Sequence, residues 1–117
     1  MKVAIVGSRD FVCYKTFLEG IEQFTGLLGD ITHVVSGGAR GADTLAKQYA
    51  DENDLPLTVF FPDYKRYGRY KAPLKRNEEI IDASAFCLAF WDGESHGTKY
   101  TIGYAEKTGV PTKIIYI

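Results

Sequence analysis

Eight residues from Ser36 to Asp43, SGGARGAD, carry three glycines, an arginine and an aspartate between an apolar run and an amphipathic segment. Glycine accepts positive φ and lets another group come close to the backbone. N–H groups at a helix start attract anions, by roughly 0.3–1 kcal/mol when exposed. Gly37, Gly38 and Gly41 would open that approach. Ser36 would add a hydroxyl, and Arg40 a fork-shaped cation suited to phosphate. Asp43 falls in the first helical turn, where a carboxylate either caps the helix or meets a ligand. The stretch is thus either a tight turn alone or part of an anion site.

Three other stretches carry comparable chemistry. GSRDF puts Gly7, Ser8 and Arg9 directly after the first apolar run. DGESHGTK puts Gly97 and Thr98 at a helix start, with His96 beside them and Asp92 and Glu94 just before. KRYGRYKAPLKR, residues 65–76, has six basic residues and no acidic one. The chain holds 14 Lys and Arg against 15 Asp and Glu, so without those six the balance is eight against 15. Read as a loop, this stretch would clamp an anion and stack a base on Tyr67 or Tyr70. Arg76 and Asn77 close it.

Some chemistry is missing. Ser8 has no nucleophile-elbow motif around it. No G-x-G-x-x-G follows the first strand, and SGGARGAD lacks the Gly-Lys-Ser/Thr of a Walker loop. No His/Cys spacing suits zinc. The expectation is therefore no metal and no bound cofactor.

The elements that must position these residues follow from periodicity. KVAIV, 2–6, is a β-branched run and reads as a buried strand. From Val12 to Leu28, Tyr14, Phe17, Leu18, Ile21, Phe24 and Leu28 recur at helical spacing, and Gly29 ends that helix. THVVS, 32–36, is the second strand. Ala42, Leu45, Ala46, Tyr49 and Ala50 mark a second helix. PLTVFF, 56–61, is the third strand. After the basic stretch, a helix is expected from about Pro73 to Ala83, with Pro73 in its first turn. SAFCLAFW, 84–91, and PTKIIYI, 111–117, are the last strands, and residues 98–108 form the helix between them. Apolar strands joined by helices imply an α/β, three-layer Rossmann-like domain: a five-stranded, mainly parallel sheet flanked by helices, spanning 1–117 as a single unit.

In such a sheet, ligands bind beyond the carboxyl ends of the strands. The four stretches above all join a strand's carboxyl end to the next helix. The links at the other edge, GDI, DLP and GVP, are ordinary turn chemistry. A purely structural account does not gather arginines and hydroxyls at one edge only.

Composition narrows the class. At 45% hydrophobic and 25% charged, the chain is an ordinary globular protein, and its net charge of −1 weighs against a nucleic-acid partner. MKVAIVGSRD reaches Arg9 and Asp10 too soon for a signal peptide, and no run suits a membrane span. Two cysteines make no disulfide framework, which points to a reducing cytoplasmic location, and Cys87 reads as a core residue. Eight tyrosines and seven phenylalanines leave apolar surface for a homo-oligomer.

VAIVGSRDF, VVSGGARGADTLAKQYA, KRNEEII and a Gly-Thr pair before a helix, in this order, resemble the YspA-like branch of the SLOG superfamily, which also includes Smf/DprA proteins and "lonely guy" phosphoribohydrolases. The resemblance implies a domain that binds a nucleotide or a nucleotide-derived small molecule, sensing or sequestering it. It narrows the anion to a nucleotide phosphate held by Gly7, Ser8, Arg9, Ser36, Gly37, Gly38, Arg40, Gly41, Asp43, Arg76, Asn77, Gly97 and Thr98. An alternative is N-glycosidic hydrolysis, as in the phosphoribohydrolases, with Arg76 matching an upstream arginine of that group. Their glutamate, three residues after the threonine, is Thr101 here, so Asp92, Glu94, Asp43 or Asp63 would have to serve. A third alternative is DprA-like binding of single-stranded nucleic acid.

Overall fold

The computed structural model describes residues 1–117. Its elements are β1 (Lys2–Gly7), α1 (Tyr14–Leu28), β2 (His33–Gly37), α2 (Ala42–Glu52), β3 (Leu57–Phe60), α3 (Tyr64–Asp82), β4 (Phe86–Trp91), α4 (His96–Thr108) and β5 (Thr112–Tyr116). All strand pairs are parallel and the order is β3-β2-β1-β4-β5. This is the α/β Rossmann-like arrangement that the alternation of apolar runs and helices implies. No helix is long and apolar enough to cross a membrane.

Side chains of a strand point alternately to the two faces of the sheet. Val3 and Ile5 of β1, with Leu88 and Phe90 of β4, join Phe17, Ile21 and Phe24 of α1 and Leu45, Ala46 and Ala50 of α2. Ala4, Val6, Cys87 and Ala89 face the other way and meet Ile80 and Ile81 of α3 and Ile102 and Ala105 of α4. Phe90 anchors the first layer, with Phe17 at 4.9 Å and Phe11 at 5.2 Å between ring centroids. Gly20 of α1 lies against that ring, and a Cβ there would be 2.4 Å from it. Cys87 is fully buried, as its apolar setting implies, and burial pushes its thiol up to about 12.

Element limits move by one or two residues from the sequence reading, apart from one correction. The basic stretch is helix, not loop: α3 starts at Tyr64, well before Pro73. Asp63 caps it by accepting the Arg66 N–H at 3.1 Å. The backbone breaks its helical path once, at Gly68 (φ 81°, ψ 178°), and resumes. Pro73 lies inside the resumed helix, where it cannot donate to the carbonyl four residues back. Few apolar residues mark this half, so periodicity had nothing to register.

Two glycines make opposite expectations. Gly41 has φ +77°, and a Cβ there would lie 2.4 Å from the carbonyl oxygens of Ser8 and Arg9. Gly103 sits mid-helix with nothing within 4 Å of a built Cβ. Gly41→Ala is expected to cost more than about 1 kcal/mol in denaturant unfolding, and Gly103→Ala to add up to about 1 kcal/mol. Equal stability of the two variants would contradict this packing.

Candidate functional site

Strand order reverses between β1 and β4, and there the carboxyl edge opens into a cleft of about 450 Å³. Gly7 and Ser8 form its floor. A Cβ on Gly7 would meet the Phe90 carbonyl at 2.5 Å and Ala42 at 2.8 Å, so only glycine fits. The Ser8 N–H donates to Phe90 O (3.1 Å), and the Ser8 carbonyl accepts the Ala42 N–H (3.2 Å). Its hydroxyl accepts the Asp10 N–H at 3.3 Å. Arg9 follows on the cleft wall, exposed and in no ion pair.

The glycine-rich loop is fastened from within. The Ser36 hydroxyl donates to Asp43 Oδ1 at 3.0 Å, and the Ala39 N–H donates to Asp43 Oδ2 at 3.1 Å. Asp43 therefore latches the loop and makes no cap on α2, whose N-cap is Gly41. Burial raises the Asp43 carboxyl, while the Ala39 N–H, the Ser36 hydroxyl and the Arg76 charge pull it back. A Cβ on Gly37 would strike the Arg76 guanidinium at 2.7 Å, and one on Gly38 would strike the Phe61 ring at 2.2 Å. Ser36, Gly37 and Gly41 lie beneath the surface and line no cavity, whereas Ala39, Arg40 and Asp43 line the cleft. Packing within the chain requires Gly37 and Gly41, whereas at Gly38 the obstacle is the ring of the exposed Phe61, which can swing aside.

Helix α3 brings Arg76 and Asn77 to the opposite wall. Arg76 is only 6% exposed, unusual for a guanidinium. Its Nε donates to Asn77 Oδ1 at 2.9 Å and its Nη1 to the Phe60 carbonyl at 3.4 Å, with no carboxylate at ion-pair distance. Burial lowers its pKa, and Asp43 opposes that shift while Arg9 adds to it. Arginine stays protonated regardless, so the cleft holds a fixed, incompletely neutralised charge. The other basic residues of the stretch do not share this position. Lys65, Arg66, Arg69 and Lys71 line neither the cleft nor its neighbouring cavity, because the helix turns them outward. They do not form the anion clamp that a loop conformation would allow.

The start of α4 completes the cleft. Asp92 Oδ1 accepts the N–H groups of Glu94 (2.9 Å) and Ser95 (2.8 Å), and the Trp91 indole donates to Ser95 O (3.1 Å). The N–H groups of His96, Gly97 and Thr98 have no acceptor in the chain, as expected for a first helical turn. Gly97 and Thr98 line the cleft, and a Cβ on Gly97 would meet nothing within 4 Å. Of the glycines that line the cleft, this is the one that packing does not demand. His96 faces away, into a groove between α3 and α4. Thr101 lines the cleft too, but its hydroxyl is committed to the Gly97 carbonyl at 2.9 Å.

Charges in the cleft are mixed. Arg9, Arg40 and Arg76 stand with Asp10, Asp43, Asp92 and Glu94. Arg40 and Asp10 pair at 3.5 Å, both largely exposed, so their link is weak. A second cavity of about 300 Å³ shares Arg9, Ala39, Arg40 and Arg76 and adds Gly38, Pro62 and Tyr64. Asp10 and Tyr64 escape a reading from sequence. Asp10 lies inside GSRDF next to a more conspicuous arginine, and Tyr64 belongs to the unrecognised first turn of α3. Together the groups suit a molecule with an anionic part for the arginines and free N–H groups, and hydroxyls or amines for the carboxylates. No group of His, Cys, Asp and Glu side chains has the geometry to hold a metal ion.

The β4–α4 turn yields a pH test. The backbone N–H groups of Ser95 and Glu94 hold the Asp92 carboxyl below its ordinary value. A lowered native pKa supports the turn above the unfolded value of about 3.9, and this support disappears as pH falls through the native value. Trp91, the chain's one tryptophan, reports on it through Ser95. Its emission is expected to stay flat from neutral pH to about 4 and to change below that. Asp92→Ala should show the altered emission already at neutral pH, with native far-UV circular dichroism. Wild-type emission in that variant would remove Asp92 from the turn's support.

Comparison with known proteins fits the fold and the place of these loops. Gene 61 protein of Mycobacterium phage D29 is 38% identical over 84 residues, which cover 67% of this chain and 66% of that protein, a little under two thirds of its length. No solved structure matches the chain. Residues 1–67, which hold GSRDF, the glycine-rich loop and β1 to β3, match the model of the YspA, cpYpsA-related SLOG family, and the chain belongs to that family.

Proposed function

We propose that the cleft binds a nucleotide or a nucleotide-derived small molecule, and that the protein senses or sequesters it. The observation that carries this reading is the pairing of Arg76, nearly buried without an ion-pair partner, with the unengaged N–H groups at the start of α4. Phosphate suits both. Asp92, Glu94 and Asn77 supply acceptors for sugar hydroxyls, and Tyr64 offers a flat ring in the adjoining cavity. Family membership supports a nucleotide-related role. Two unpaired cysteines, one of them exposed, suit a reducing cytoplasm.

N-glycosidic hydrolysis finds less support. Cleavage needs a carboxylate beside the ribose, to stabilise positive charge or activate water. Asp92 spends one carboxylate oxygen on its own turn, and Thr101 fills the position where the resemblance places a glutamate.

Arg9 is the sharpest probe, because it lines both cavities and makes no ion pair whose loss would disturb the fold. Nucleoside mono- and diphosphates and dinucleotides, titrated against Trp91 emission and thermal unfolding, are expected to give saturable binding. At a hundredfold excess over the dissociation constant, the ligand should add about 2.7 kcal/mol. Arg9→Ala should lose at least about tenfold in affinity, with stability within about 0.5 kcal/mol of wild type. No stabilisation by any of these compounds, or undiminished affinity in Arg9→Ala, would sink the reading.

A further inference from the structure

The two helical layers carry opposite charge. α1 and α2 hold two Lys and Arg against five Asp and Glu, and α3 and α4 hold eight against four. A net charge of −1 conceals this division. In the α3/α4 layer only one ion pair forms, Lys75 to Glu78 at 3.6 Å. Lys65, Arg66, Arg69, Lys71, Lys99 and Lys107 are exposed with no carboxylate within 4.0 Å. Unneutralised cations on one face are the electrostatic footprint of a polyanion partner.

The same face is grooved. A cavity of about 720 Å³ runs between α3 and α4, lined by Lys75, Lys99, Lys107, His96, Tyr100 and Tyr104, with Gly103 at its floor and one carboxylate, Glu78, already engaged by Lys75 and the Tyr100 hydroxyl. Gly103 has no packing reason to be glycine, and glycine in a helix interior costs about 1 kcal/mol relative to alanine. Its effect is to keep the floor open. Aromatic rings accompany the cations: Tyr100, 38% exposed, and Tyr104 line the groove, and outside it Tyr70 is 82% exposed with the Arg69 guanidinium 5.8 Å from its centroid.

We infer that the α3/α4 face binds single-stranded nucleic acid, with phosphates on Lys75, Lys99 and Lys107 and bases against the exposed tyrosines. The cations alone would serve any polyanion. The interleaved rings favour a strand whose bases are free to stack, over an acidic peptide that has no such rings, and over a duplex whose bases are already stacked. The site lies on a different surface from the cleft and does not depend on the nucleotide reading.

Fluorescence anisotropy of a labelled oligo(dT), on the order of 20 nucleotides and so longer than a single site, tests this with the whole chain. Binding is expected at 50 mM salt, with log K falling against log salt at a slope of about −2 for three phosphate contacts on a single strand. The double variant Lys99→Gln/Lys107→Gln should lower the slope to about −0.7 and weaken binding at least about tenfold. Gly103→Leu removes no charge but fills the groove floor, and should weaken binding while leaving the slope nearly unchanged. The lysine variant should keep the wild-type melting temperature, and Gly103→Leu should match or exceed it, since it removes a helix-interior glycine. Absent binding, a flat salt response, equal competition by polyglutamate, or undiminished affinity in both variants would each overturn the inference.

Discussion

Everything at the carboxyl edge hangs on one short piece of backbone, Ser8. Its N–H is tied to β4 through Phe90 O, and its carbonyl is tied to α2 through the Ala42 N–H. Gly41 must sit almost in contact with the Ser8 and Arg9 carbonyls for α2 to start there. Three elements distant in sequence are thereby held within a few ångströms at the point where strand order reverses. A parallel sheet leaves such a crevice by topology. What this chain adds is a floor of hydrogen-bonded backbone, which holds the crevice at one width.

On that floor the side chains are arranged by burial rather than by ion pairing. Asp43 spends its carboxylate on the loop, and Arg76 spends part of its guanidinium on Asn77 and Phe60 O. Hydrogen bonds to a charged group stabilise by about 1.5–3 kcal/mol each, enough to keep the loop closed with no ligand present. The cleft is therefore preorganised, and a ligand need not order the glycine-rich loop on entry.

Much of this was legible in the sequence, and the exceptions share a cause. The strands announced themselves as apolar runs, and sorting loops by sheet edge brought GSRDF, SGGARGAD, Arg76 and the Gly-Thr pair to one place. What periodicity missed was the first half of α3, where Gly68 resembles a turn and the helix has almost no apolar face. The glycines were legible only in part. Their number suggested access for a ligand, yet Gly37 and Gly41 are required by the buried Arg76 and by the Ser8 backbone, partners far along the chain that no local pattern reveals. Gly97, read from sequence as one site glycine among several, is the cleft-lining glycine whose surroundings are open. Net charge is blind for the same reason, since a sum over the chain says nothing about which layer carries which sign.

The contact of Gly37 with the Arg76 guanidinium bears on how this protein diverges. A side chain at position 37 collides with that buried guanidinium and with Asp43, so position 37 changes only together with them. Gly41 is bound more firmly still, because it meets Ser8 and Arg9 backbone that no substitution removes. Drift along this edge must therefore proceed by coordinated pairs of substitutions, slowly and through few paths. The outer faces of α3 and α4, free of such pairings, are where descendants can acquire new partners one residue at a time.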